Sequence, residues 1–274
     1  MAVTCRVLQV SRSGYYDWRT RSPSHRDLTD AYLLDTILDV HAAARGTYGV
    51  RRVHAELVLG REHRVGRRKV ARLMRCHGLA GVHRRRWRNV QPSEAVWADH
   101  VNREFAADAP DRLWVTDITQ HRSREGWVYC AAVLDVFSRR VVGWSIAEHL
   151  RTELVVNALE MARIRRKPAG TILHSDRGSQ YTSWLFGHRL SEAGLIGSMG
   201  KVACAYDNAL MESFWGSMQI ELLDRRTWPT RAGLASAMFE WIEAFYNPVR
   251  RHSALDYQSP IQFERDHTTA NPAA

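Results

Sequence analysis

The sequence predicts an α/β chain in two parts: a small all-α, helix-turn-helix-like basic module, then a mixed five-stranded sheet with flanking helices. Three observations carry this reading. Charge is divided unequally, with 20 Lys+Arg against 10 Asp+Glu in residues 1–107 and 19 of each in 108–274. Apolar residues recur at helical spacing from Asp27 to His77, whereas short β-branched and aromatic runs begin at Leu113. Between them, from Gln91 to Asp111, no period holds and Pro92 and Pro110 frame a connector of about 20 residues. A structureless stretch of that length usually separates domains.

Residues 1–24 read as a small helical segment and a linker, with the Arg/Ser/Pro stretch RTRSPS at its end. Residues 25–90 form the basic module. Its first helix, Asp27 to Ala44, places Leu33, Leu34, Ile37, Leu38 and His41 on one side. GTYG breaks it, Val50 to Leu59 makes a second, and Gly60 ends that one. A third, Val65 to His77, has Val70, Leu73, Met74 and His77 as its apolar side. Arg68, Arg72 and Arg75 line another face, beside Arg67 and Lys69. Three short helices ending in an arginine face fit a DNA-binding module; a three-helix spacer with a solvated basic face fits the same periodicity. HRRRWRN sets Trp87 among arginines, including Arg84, Arg85 and Arg86, which suits backbone contact plus stacking; a basic linker explains it nearly as well.

After a linker at 91–107, residues 108–223 change character. Leu113–Thr119, Trp127–Val136 and Arg140–Ile146 read as consecutive strands joined by SREG and FSR, an antiparallel meander. Thr152 is expected to cap a helix running to about Arg165. Thr171–His174 is a short buried strand, Thr182–Ala193 a helix and Leu195–Met199 a further strand. The last element, Ala205 to Leu222, is a helix with Leu210, Phe214, Met218 and Leu222 in one stripe and Asp207 or Asn208 as its cap. The order β-β-β-α-β-α-β-α is that of an RNase H-like fold. A helical extension follows at 224–266, with a helix from Thr230 to Tyr246, and residues 267–274 are expected to be disordered.

Composition narrows the function. No run of 18 apolar residues occurs, so no membrane span is expected, and MAVTCRVLQVSRSG lacks the apolar core of a signal peptide; a cytoplasmic location is expected. Cys5, Cys76, Cys130 and Cys204 are scattered without a Cys-x-x-Cys pair, which predicts buried free thiols and no structural zinc. The net charge of +10 belongs to the first part of the chain: between Arg45 and Arg88 stand 14 basic residues against Glu56 and Glu62. Such a field favours a polyanion, most simply nucleic acid.

Three carboxylates stand out. Asp117 lies near the end of the first strand on the face of Leu113 and Val115, where an acid needs a partner; a divalent metal is one and an arginine another. Asp176 follows the strand TILH on a turn aided by Gly178, as a loop-borne functional acid or a turn-former. Glu212 sits roughly 140° from the centre of its helix's apolar stripe, as a projecting ligand or a solvated helix acid.

At these residues the sequence resembles a known family. LWVTDIT, WVYCAAVLDVFSRRVVGW, HSDRGSQYTS and DNALMESFW are similar to the catalytic core shared by retroviral integrases and bacterial insertion-sequence transposases. VSRSGYY, RGTYGVRRVHAEL, VGRRKVARLMRCHGL and YNPVRRHSALDYQSP match the insertion-sequence branch, specifically its second-frame, OrfB-type proteins, so the resemblance covers nearly the whole chain. It implies that Asp117, Asp176 and Glu212, with 58 and 35 residues between successive members, form an acidic triad for two Mg²⁺ ions, Mn²⁺ being able to substitute. It implies an activity that nicks the element end and joins its 3′-OH to another phosphodiester. Arg177, Lys201 and Asn208 are then expected to face DNA, whereas Asp135, which matches a family position, is expected from its strand placement to be structural or to support the metal ligands. The partners implied are element ends and target DNA, an upstream-frame OrfA-type protein or fusion, and further copies of the chain. One departure stands out: seven places after the glutamate, where the family usually carries a basic DNA contact, this chain has Gln219, which can hydrogen-bond a base edge but brings no charge. A purely hydrolytic RNase H-type nuclease and a catalytically silent DNA-binding regulator are the competing classes. The first leaves the basic module unexplained, and the intact triad argues against the second.

Overall fold

Ser24 starts the first long helix of the basic module, and the sequence supplies both halves of a capping box there. In the computed structural model, which describes residues 2–83, 106–176, 178–199 and 209–270, the Asp27 amide donates to Ser24 Oγ at 3.2 Å and the Ser24 amide to Asp27 Oδ2 at 3.0 Å. Two orphan N–H groups of the first turn are thereby satisfied, a contribution of about 1 kcal/mol. The chain divides into two units, 1–81 and 82–274.

The first unit opens with α1 (Ala2–Val7) and α2 (Arg12–Thr20), the latter capped by Ser11, whose Oγ accepts from the Gly14 amide at 2.9 Å. Then come α3 (His25–Ala43), α4 (Val50–Ala55), a π-helical turn (Glu56–Gly60) that extends it, and α5 (Arg67–Cys76). Their shared core is Leu33, Ile37 and Val40 with Val53, Leu57, Val70, Leu73 and Met74. Two backbone segments meet closely here: a Cβ on Gly81 would lie 2.4 Å from the Gly49 nitrogen, so only glycine fits. Two of the expected core positions are corrected. Leu38 and His77 are exposed, because the buried stripe of α3 runs through Ile37 and Val40 and His77 lies past the end of α5.

The second unit is a five-stranded sheet in the order β3-β2-β1-β4-β5. β1 (Leu113–Ser123), β2 (Gly126–Asp135) and β3 (Val141–Ala147) form the antiparallel meander. β4 (Ile172–Ser175) and β5 (Ile196–Met199) add in parallel. The first hairpin is longer than the sequence suggested, since pairing persists to Ser123↔Gly126 through the polar residues after Thr119. One face, carrying Trp114, Ala131, Val133 and Val142, packs on α6 (Thr152–Arg166) and α7 (Trp184–Glu192) through Leu154, Val155, Ala158, Leu159 and Phe186. Each such fully buried large side chain contributes about 1.5–3 kcal/mol from apolar burial. Gly143 permits the contact of β3 with α6, for a Cβ there would stand 2.2 Å from the Ala158 carbonyl oxygen.

The remaining helices are α8 (Ala209–Glu221), α9 (Arg231–Glu240), a π-helical turn (Trp241–Tyr246) and α10 (Pro260–Ala270). Further expectations change. Arg151, not Thr152, is the cap residue of α6. In α8 the stripe begins at Met211 instead of the half-exposed Leu210, so the buried line is Met211, Phe214, Met218 and Glu221, followed by the expected Leu222 just past the helix end. The expected caps Asp207 and Asn208 lie outside the described residues. The stretch 267–274 is helical through Ala270, where α10 continues past Glu264. Of the thiols, Cys5 and Cys130 are buried, Cys76 is exposed at the end of α5, and Cys204 lies outside the described residues.

Candidate functional site

β1 and β4 are parallel neighbours, pairing Leu113 to Thr116 with Ile172 to Ser175. Asp117 and Asp176 are the next residue on each, so the topology delivers both carboxylates to one end of the sheet. They line a common cleft of about 210 Å³ with Ile118, Thr119, Gln120, Tyr129, Leu150, Gly178, Gln180 and Tyr181. Asp176 is exposed and its Oδ1 accepts from the Gly178 amide at 2.9 Å, the side-chain turn that the small residue allows. Beneath them, Tyr181 is fully buried with its hydroxyl 3.3 Å from Thr116 Oγ1. Burial, then the charge of Asp117, and further that of Asp176, hold its phenol well above the ordinary value, so Tyr181 stays neutral beside the two acids.

α8 approaches the same strand from the other direction. The Trp215 indole N–H donates to Asp117 Oδ2 at 3.1 Å. Asp117 therefore has a neutral indole donor among its partners. Trp215 is three residues after Glu212 and so on a neighbouring part of the helix surface. Glu212 is exposed near the N-terminal end of α8, away from the buried stripe, as its angular position predicted. Among the described residues no three His, Cys, Asp or Glu side chains converge at metal-ligand spacing. The donor chemistry nevertheless fits a hard cation: two carboxylates share one cleft and a third rides on the helix docked to the first. Trp215 and Tyr181 are site residues that the sequence reading missed. Neither was legible, because the distant hydrogen-bond partner of an indole or a phenol leaves no local pattern in the chain.

Gln219 is tied down within the unit, its Nε2 donating to Asp224 Oδ1. Asp135 is fully buried and accepts from the Asp111 amide at 2.7 Å and the Ser138 amide at 3.0 Å, closing the β2–β3 turn. Burial pushes its carboxyl above the usual range, against the pull of those two amide bonds. That is a structural post, as expected from its strand position.

In the basic module the five residues proposed on α5 separate into two groups. Lys69 Nζ lies 2.8 Å from Asp30 Oδ1, and Arg72 pairs with Asp30 Oδ2. Hydrogen bonds from Lys69 and Arg72 hold the Asp30 carboxyl below its ordinary value. These two cations bind α5 to α3. Arg67, Arg68 and Arg75 are exposed and, among the described residues, have no acidic partner. Arg84, Arg85, Arg86, Arg177, Lys201 and Asn208 lie outside the described residues. No helix among the described residues is long and apolar enough to cross a membrane.

Comparison with known proteins agrees with this division. Residues 27–87 match the HTH-like domain family, and residues 107–203 and 194–260 match two families described as integrase core domain. A Shigella sonnei protein, the uncharacterized 31 kDa protein of insertion element IS600, is 40% identical over 271 residues, 97% of this chain and 99% of the relative. The transposase for insertion sequence element IS629, also from Shigella sonnei, is 39% identical over 268 residues, 95% of this chain and 90% of the relative. A solved structure of the HTLV-2 integrase catalytic core domain in complex with magnesium is similar at a TM-score of 0.45, with 17% identity over 58% of this chain and 99% of that one. With an HTH-like region ahead of an integrase core and near full-length identity of this order, the chain belongs to the family of insertion-sequence transposases.

Proposed function

We propose that this transposase cleaves DNA at element ends and joins the resulting 3′-OH to a target phosphodiester, using Asp117, Asp176 and Glu212 as its acidic triad. The observation that carries the assignment is the shared cleft: the sheet brings Asp117 and Asp176 together, and α8, bearing Glu212, is bonded to Asp117 through Trp215. The three carboxylates would hold two Mg²⁺ ions, with Mn²⁺ as a substitute. When bound, paired ions of this kind activate the attacking hydroxyl or water and stabilise the departing 3′ oxygen of an in-line displacement. The protein's own part is positional. Trp215 orients the Asp117 carboxylate, the Gly178 amide orients that of Asp176, and neutral Tyr181 supports the cleft from below.

DNA is the partner, reached through the basic module at Arg67, Arg68 and Arg75 and, beside the cleft, at Arg177, Lys201 and Asn208. An upstream-frame protein or fusion and further copies of the chain complete the assembly, which acts on DNA in the cytoplasm. The test is a strand-transfer assay with labelled element-end oligonucleotides and Mg²⁺. Joined products support the proposal, cleavage without joining supports a hydrolytic nuclease, and binding without chemistry supports a regulator.

A further inference from the structure

The C-terminal run NPVRRHSALDYQSP has no part in the chemistry above, yet it makes the most enclosed ion pair among the described residues. Arg250 and Glu221 have side chains only 4% and 1% exposed. The guanidinium donates through Nε to Glu221 Oε2 at 2.8 Å and through Nη2 to Glu221 Oε1 at 2.7 Å, and Nη2 also reaches Ser217 Oγ at 3.0 Å. Ser217 and Glu221 are successive-turn neighbours on α8, so one planar fork grips two positions along the helix axis. Tyr246, over whose ring the guanidinium lies at 5.6 Å, meets Phe214 of the same helix edge-on at 4.9 Å.

The other end of this strut is fixed to the sheet. The Val141 amide donates to Asn247 Oδ1 at 2.9 Å and Asn247 Nδ2 donates to the Val141 carbonyl at 3.0 Å, so a buried side-chain amide pairs with β3 as a strand would. Three residues later Arg250 grips α8. The sheet holds Asp117 and Asp176, and α8 holds Glu212. The segment 247–250 thus links the sheet to α8 by a short route.

A buried ion pair is weak evidence for stability, because desolvation offsets its attraction and an apolar replacement is often neutral or better. What a bidentate fork supplies is direction. At 100° and 1.5 Å per residue, a one-residue slip of α8 would rotate Glu212 by about 100° and shift it along the axis by about 1.5 Å. Glu221 is nine residues from Glu212, about half a turn around the helix, so the grip lies on the side opposite the functional acid. We propose that Arg250 is a positioning residue, which fixes the rotation and register of α8 and so presents Glu212 to Asp117 and Asp176. The proposal rests on the reading of Glu212 as the third carboxylate.

The decisive variant is Arg250→Met combined with Glu221→Met in the full-length chain, which removes both charges while filling the space. Its melting temperature and its affinity for a generic 30-base-pair duplex in Ca²⁺ report folding and DNA binding; the joining rate and the Mg²⁺ concentration for half-maximal rate report Glu212. The expected result is near-wild-type melting and duplex affinity within about twofold, with joining slowed about tenfold or more and the Mg²⁺ requirement raised several-fold. A double variant with wild-type joining and Mg²⁺ requirement overturns the proposal. Should it fail to fold, Arg250→Lys keeps the charge but loses the fork, and an unchanged joining rate in that variant overturns the proposal equally. Absence of joining by the wild-type chain in the same assay instead defeats the transposase assignment, so the two failures are distinct.

Discussion

Glu212 is exposed on α8 and contributes nothing to the core, so Glu212→Gln separates chemistry from folding. Both the nick and the joining step are expected to disappear, with melting unchanged because surface substitutions cost within about 0.5 kcal/mol, and with DNA binding retained. Strand transfer surviving in that variant would remove Glu212 from the triad. Trp215 makes a finer test. Trp215→Phe keeps an aromatic ring on the helix but deletes the donor to Asp117 Oδ2. A hydrogen bond to a charged acceptor is worth about 1.5–3 kcal/mol, so the joining rate should fall roughly tenfold or more while duplex affinity holds. Wild-type kinetics in Trp215→Phe would mean that the indole merely packs. The two residues are three apart on one helix, yet only Glu212 was visible beforehand, because an acid facing solvent at about 140° from a stripe is a pattern and an indole's hydrogen-bond partner is not.

The helix α10 shows what an element can hide. Glu264 is gripped by Arg166 through Nη1 at 2.9 Å and Nη2 at 3.1 Å, by Arg140 at 2.6 Å, and by the Ser138 hydroxyl at 2.7 Å. Arg166 also bonds Asp111 through Nε at 2.8 Å. Burial raises the Glu264 carboxyl, but the hydrogen bonds and charge of Arg166 with Arg140 and Ser138 outweigh it, leaving it below its ordinary value of 4.5. Because the folded value is depressed, the stabilisation is complete above pH 4.5 and fades as the pH falls through the lower folded value. Glu264→Gln should cost about 3 kcal/mol at neutral pH and flatten that acid limb. The check is melting temperature against pH for both proteins. Asp135, raised by burial, loses stabilisation in the opposite direction as pH rises, but it is present in both and cancels in the difference. Residues 267–274 carry few apolar side chains, which is why a disordered tail was expected; α10 through Ala270 is docked by Glu264, a charge whose partners stand 98 to 126 residues earlier.

At the scale of the whole molecule, the basic module and the core have separate electrostatic characters, and the module's cations are themselves divided. With Lys69 and Arg72 engaged by Asp30, the proposed phosphate contacts of α5 would fall to Arg67, Arg68 and Arg75. Changing those three to Ala should lower duplex affinity and reduce the slope of log affinity against log salt by roughly 2–3, close to one for each phosphate no longer neutralised. Asp30→Ala, which releases Lys69 and Arg72, should instead destabilise the module without reducing the slope. Binding measured by fluorescence anisotropy over a salt series decides this, and an unchanged slope in the triple variant would place the DNA interface elsewhere. Gln219, where the resemblance implies a basic residue, donates a hydrogen bond to Asp224 within the same unit.

By itself the sequence determined the order of elements, the division of charge between two parts, and the three acids with their spacing. Those properties depend on local periodicity and residue type, which neighbouring residues reveal. Motif matches extended the same information to the family. Only the tertiary structure decided which cations of α5 pair with Asp30, which indole donates to Asp117, and how the segment around Arg250 joins the sheet to α8. Each of these is a pairing between residues that are distant in the chain, and a hydrogen bond or ion pair across such a distance leaves no periodic trace. Asp117 and Asp176 show the boundary between the two: their residue type and their places at strand ends were legible in the chain, but their meeting required β4 to lie parallel to β1.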